Sequence, residues 1–231
     1  MSVQKKSSHP LFKSLKRVVR LFFRRRTLIG AENVRRDLPA VFVCNHLGSY
    51  APIMMELFFP YPFRPWVTYH IVTKGKCADY LEAHFAQTEL KLRRPFSRWA
   101  AVIIAPLCIH IVRATGAIPV YGGSLRITRT LEESLDAIKK GENLVIFPEN
   151  EEKPFSPVID DFDVGFIHLG KLSYQKTGNR LPFYPVFINK QKRSISIGCP
   201  IIYSPARSFH VERQRIKAYL QESISKMASG R

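Results

Sequence analysis

Two hydrophobic periods alternate along the chain, and each change of period marks an element. Leu11, Leu15, Val18 and Phe22 recur at helical spacing, with Phe12, Val19 and Phe23 beside them. Lys13, Lys16, Arg17, Arg20 and Arg24 fall on the flanks or the far side, so the pattern predicts a basic amphipathic helix. The run from Ala40 to Cys44, bounded by Pro39 and by Asn45-His46, predicts a buried strand. Residues 52–59 predict a short helix, stopped by the turn signals Pro60 and Pro62. A strand over 66–72, a helix over 78–90 and a strand over 116–121 follow. The helix over 124–140 places Leu125, Thr128, Leu131, Leu135 and Ile138 on one face, and Gly141 ends it. A buried strand over 144–147 ends at Pro148-Glu149. A helix over 164–175, strands over 183–188 and 194–198, and a last helix over 211–227 complete the set. Such alternation predicts an α/β domain whose largely parallel central sheet is flanked by helices. Residues 1–29 then form a basic amphipathic segment at a membrane interface, and 30–231 form the domain.

Charge sharpens this picture. The 231 residues contain 36 Lys+Arg against 18 Asp+Glu, a net charge of +18. Lys5, Lys6, Lys13, Lys16, Arg17, Arg20, Arg24, Arg25 and Arg26 lie in the first 31 residues, which contain no acid. An excess this large repels itself, so an anionic partner is expected: a membrane surface, a phosphorylated substrate or nucleic acid. Nucleic acid is the weakest of the three, because no recognition-helix, zinc-finger or aromatic RNA-binding signature is present. The apolar share of 45% excludes wholesale disorder.

Cys44, Cys77, Cys108 and Cys199 form no C-x-x-C pair, so no metal site is expected and buried, inert thiols in a reducing compartment are. No secretory signal pattern is read at the basic opening. The longest apolar run, Trp99 to Val112, is interrupted by Pro106 and His110 and falls short of the roughly 20 residues of a spanning helix. The expected location is therefore peripheral, on the cytoplasmic face of an anionic membrane. G-x-S-x-G, phosphate-loop and dinucleotide patterns do not occur, so neither a serine hydrolase nor a cofactor is implied.

Functional groups of an open α/β sheet gather beyond the carboxyl ends of its strands. Three polar clusters stand there: Asn45-His46, Tyr121-Gly122-Gly123 and Pro148-Glu149-Asn150. A histidine in that position can take a proton from a hydroxyl. Read in order, Val41-Phe-Val-Cys-Asn-His46, Gly116-Ala-Ile-Pro-Val120, Leu144-Val-Ile-Phe-Pro-Glu149 and Phe183-Tyr-Pro-Val186 resemble the four blocks of the glycerophospholipid acyltransferase family. Ile197-Gly-Cys-Pro200 is similar to its closing strand and turn. The resemblance covers roughly residues 30 to 205. It implies that His46 is the general base activating an acceptor hydroxyl for attack on an acyl thioester. It also implies that the second and third blocks, residues 116–122 and 147–153, bind the acceptor's phosphate; with the neighbouring polar and basic residues, the candidate acceptor site is Asn45, Gly122, Arg126, Arg129, Phe147, Pro148, Asn150 and Lys153. The donor would be acyl-CoA or acyl carrier protein, and the acceptor a lysophospholipid or glycerol-phosphate-type lipid. Met54 to Phe59 and Trp99 to Val112 would line an acyl tunnel or sit in the lipid interface.

The chain departs from the family blocks in three places. Ala51 stands where the family carries the aspartate that orients its histidine. Tyr121-Gly122 replaces the second-block arginine, and Asn150-Glu151-Glu152 replaces a glycine and its polar followers. Two readings follow. In one, the enzyme is active with relocated helpers: Glu56 or Glu149 orients His46, while Arg126, Arg129 or Lys153 receives the anion. In the other, the fold persists as a catalytically impaired membrane- or lipid-binding module.

Overall fold

The computed structural model describes residues 10–121, 127–149 and 163–230. It opens with α1 (Pro10–Leu21), β1 (Thr27–Ile29), β2 (Val41–Cys44) and α2 (Tyr50–Phe58). Then come β3 (Phe63–Thr68), α3 (Tyr69–Val72), α4 (Lys76–Leu81) and α5 (Phe96–Ala114). The second half runs through β4 (Ile118–Val120), α6 (Ile127–Lys139), β5 (Asn143–Ile146) and α7 (His168–Thr177). It ends with β6 (Pro182–Asn189), β7 (Ser194–Ile197), β8 (Ile201–Ile202) and α8 (Phe209–Ser229). The strands form one sheet in the order β1-β7-β6-β2-β5-β3-β4, with β8 also paired to β6. Only the pairings of β6 with β7 and β8 are antiparallel; the rest are parallel.

The unbroken apolar runs of β2, β5 and β6 follow from their central places, where both faces of the sheet are covered. Successive residues point to opposite faces. Val41, Val43, Leu144, Ile146 and Phe183 meet Ile138 of α6, Leu169 of α7 and Ile216, Leu220 and Ile224 of α8. Phe42, Cys44, Val145, Tyr184 and Val186 meet Met54, Met55 and Leu57 of α2. Each such large side chain contributes about 1.5–3 kcal/mol of burial, which fixes β2 and β5 as the rigid centre. A third cluster lies away from the sheet, where Cys77 and Leu81 of α4 pack on Ala101, Ala105 and Ile109 of α5.

Several expectations are corrected. The predicted strand over 66–72 begins earlier and stops at Thr68, and Tyr69 to Val72 coil into α3. The helix expected over 78–90 ends as α4 at Leu81 and continues as one wider turn to Ala86. α5 went unread because it is apolar on two faces, which hides the one-sided periodicity that marks a helix. β1 and β8 are too short to show a pattern; β1, read with the N-terminal segment, is in fact the sheet's edge strand beside β7. Of the thiols, Cys44 and Cys77 are buried as expected, whereas Cys108 is partly exposed and Cys199 exposed.

α1 docks one side on the domain's own core and leaves apolar side chains on the other. Val19, with Phe23 just beyond the helix, packs against the α2 side of the core, Lys16 pairs with Glu56 at 2.7 Å, and Arg20 donates to the Leu57 carbonyl. Val18, Leu21 and the adjoining Phe22 face outward.

Candidate active site

β2 and β5 are adjacent parallel strands, so Asn45-His46 and Phe147-Pro148-Glu149 emerge side by side at one end of the sheet. The His46 backbone N–H donates to Glu149 Oε1 at 2.7 Å, and the His46 ring meets the Phe147 ring edge-on, 5.2 Å between centroids. His46 Nδ1 is sealed from solvent. Burial pulls the His46 imidazole down from its ordinary 6.5 to about 4, so the ring is neutral at physiological pH. Burial also pushes the Glu149 carboxyl up to about 7, against the opposing pull of the His46 N–H. Near neutrality Glu149 therefore exchanges a proton easily while His46 stays an uncharged acceptor. Glu149 fixes the His46 peptide; of the two helpers considered for the histidine, Glu56 instead pairs with Lys16.

Asn45 is fully buried and completes the sheet. Its Oδ1 accepts the Ile188 N–H at 2.7 Å and its Nδ2 donates to the Ile188 carbonyl at 3.2 Å. With both amide ends on Ile188, Asn45 ties the turn that carries His46 to β6. Pro148 is buried and Phe147 partly so.

The turn after His46 is held by a residue the sequence did not reveal. Glu89 accepts the Ser49 N–H at 2.7 Å and the Ser49 hydroxyl at 2.6 Å, placing a carboxylate at the N-terminal end of α2. Negative charge is favoured there by the helix dipole. Gly48 makes this approach possible: its φ is +58°, and an added Cβ would lie 2.6 Å from Glu89 Oε1. Glu89 is 40 residues from Ser49, and no local pattern signals a contact over that separation. Ala51 is fully buried in the first turn of α2. Tyr50 lies between two cations, with the Arg26 guanidinium 5.8 Å and the Lys190 ammonium 5.3 Å from its ring centroid. Arg26 is read in the sequence only as part of the basic N-terminal segment and Lys190 not at all, because they reach Tyr50 from β1's approach and from the end of β6.

The structure does not bring Arg129 to His46. Arg129 stacks over Tyr121 at 5.5 Å and pairs with Glu133 at 3.0 Å, beside the end of β4. β4 is three strands from β2, about 14 Å at normal strand spacing. Gly122, Arg126, Asn150 and Lys153 lie outside the described residues. Among the described residues, no group of His, Cys, Asp and Glu side chains could hold a metal.

The 1-acyl-sn-glycerophosphate (LPA) acyltransferase PlsC from Thermotoga maritima superposes with a TM-score of 0.53 at 14% identity, covering 94% of this chain and 79% of that one. The chain shares the fold of that protein. No family model and no curated protein matches its sequence.

Proposed function

We propose that the chain transfers a fatty acyl group from an acyl thioester to a hydroxyl of a lysophospholipid or glycerol-phosphate-type acceptor at a membrane surface. The observation that carries this reading is the neutral His46 at the end of β2, its peptide pinned by Glu149 from the neighbouring parallel strand, on an acyltransferase fold. The acceptor oxygen attacks the thioester carbonyl carbon while the His46 imidazole takes the hydroxyl proton. The new C–O bond forms, the C–S bond breaks, and the imidazolium returns its proton to the departing thiolate. The donor is acyl-CoA or acyl carrier protein; the protein acts peripherally on the cytoplasmic face of an anionic membrane.

The test is acyl transfer from labelled acyl-CoA and acyl carrier protein to a panel of lysolipids, followed by lipid separation. His46→Ala should lower turnover by about 10²–10⁴, the usual range for a positioned general base. Unchanged turnover in His46→Ala would remove the base assignment.

One observation favours the second reading, a catalytically impaired lipid-binding module: the buried Ala51 occupies the family's aspartate position with a methyl group. If the wild type is inactive and Ala51→Asp acquires activity, that reading replaces the first.

A further inference from the structure

α5 is apolar on the side that should be polar. Its inner face, Ala101, Ala105 and Ile109, packs on Cys77 and Leu81 of α4. Its outer face presents Phe96, Trp99, Val102, Ile103 and Leu107 to solvent, with Trp99 62% and Ile103 76% exposed. These positions recur three and four residues apart, so they form one stripe along a helix about 28 Å long. A continuous exposed patch of this kind marks an interaction site.

We propose that this outer face of α5 is a membrane-docking surface, lying flat in the interface of a bilayer rich in anionic head groups. This deepens the membrane part of the reading above and rests on it. Residues 90–114 contain Lys91, Arg93, Arg94, Arg98 and Arg113 and no acidic residue, so cations stand at both ends of the stripe. Arg94 and Arg98 lean back on Glu82 and Asp79, and with Trp99 they line a surface groove at the helix's N-terminal end. An aromatic ring beside guanidinium groups suits the head-group level of a membrane.

Charge also decides against other occupants. A second copy docking through the same stripe, parallel or antiparallel, would set cations against cations at both ends. By length and composition α5 could cross a membrane. A spanning orientation would carry Arg98, Asp79 and the packed α4 into the hydrocarbon layer, where charge is costly. Lying flat satisfies both the apolar stripe and its charged ends.

Trp99 makes the proposal testable with the full chain, because residues 1–31 contain no tryptophan. Vesicles of phosphatidylcholine with phosphatidylglycerol, some carrying brominated acyl chains, are titrated while tryptophan emission is followed. Trp99 emission should shift to the blue and be quenched by the bromolipid, and Trp99→Phe should lose the quenching while still binding vesicles. The double variant Ile103→Asp/Leu107→Asp should bind about tenfold or more weakly, consistent with the loss of two buried aliphatic side chains, with an unchanged circular dichroism spectrum. Vesicle binding without Trp99 quenching would overturn the proposal, as would wild-type affinity in the double variant. So would a dimer that this double variant dissociates without weakening vesicle binding. Ile103 and Leu107 are exposed on the outer face of α5 and line no tunnel, so acyl transfer to a water-soluble short-chain acceptor should survive the double variant, and failure of docking and failure of the enzymatic reading separate cleanly.

Discussion

Two regions of the same sheet, its centre at β2 and β5 and its edge at β4, carry the groups that sequence selected, and they differ in water. At the paired ends of β2 and β5, His46 and Glu149 sit in surroundings dry enough to move both pKa values toward their uncharged forms. Beside the end of β4, Arg129 is 69% exposed and already committed to Glu133 and the Tyr121 ring. Desolvation turns an ordinary histidine into a neutral proton acceptor; an exposed ion pair offers little energy and keeps its solvent. The desolvated titratable pair therefore lies at β2 and β5, while Arg129 is a solvated surface residue.

The sharpest way to break this contrast is Glu149→Gln, read as stability against pH. An imidazole that titrates near 4 when folded and near 6.5 when unfolded is protonated first in the unfolded chain, so stability is lost as pH falls from 6.5 towards 4. Glu149 works in the opposite sense. The folded chain keeps its proton up to about 7 and the unfolded chain releases it near 4.5, so stability is lost as pH rises through that range. The two slopes oppose each other between 4.5 and 6.5. With glutamine in place the opposing Glu149 slope is gone. The difference in denaturant unfolding between Glu149→Gln and Glu149→Gln/His46→Ala, which cancels the shared contributions of His168 and the lowered carboxyls, should show up to about 3 kcal/mol lost from pH 6.5 to 4. A flat difference would mean that His46 is not desolvated.

A smaller effect is expected at Glu89. Glu89→Ala removes the acceptor of the Ser49 N–H and hydroxyl, which should cost about 1–2 kcal/mol of stability. It should also lower kcat more than it raises KM, because it loosens the turn that carries His46. Glu89→Gln should recover part of both. A KM change alone would mean that Glu89 meets the acceptor instead.

The smallest effect is expected at Arg129. Arg129→Ala should change acceptor KM by about twofold at most, in keeping with a solvent-screened pair. Lys190→Ala, at the end of β6 and beside Tyr50, should raise acceptor KM more than Arg129→Ala does. The reverse order would put an anion site at β4 and erase the difference between the two regions.

Much of this was legible in the chain, for a physical reason. The central strands are buried on both faces, so Val41 to Cys44 and Leu144 to Ile146 announce themselves as apolar runs, and the polar residues after them mark the site. What escaped was tertiary. Glu89 reaches Ser49 across 40 residues, and Arg26 and Lys190 meet at Tyr50 from opposite ends of the chain. Asn45 was legible as a polar residue beyond a strand, but not as the amide that extends β6. α5 escaped for the opposite reason: two apolar faces, one packed and one bare, blur into a single run.

Titrating His46 by NMR, through its ring resonances in the full chain and assigned with His46→Ala, tests the account most directly. The account predicts an imidazole that stays neutral down to about pH 4, far below the ordinary 6.5. A midpoint at 6.5 or above would contradict it, because His46 would then be a solvated surface histidine rather than the sealed base of an acyl-transfer site.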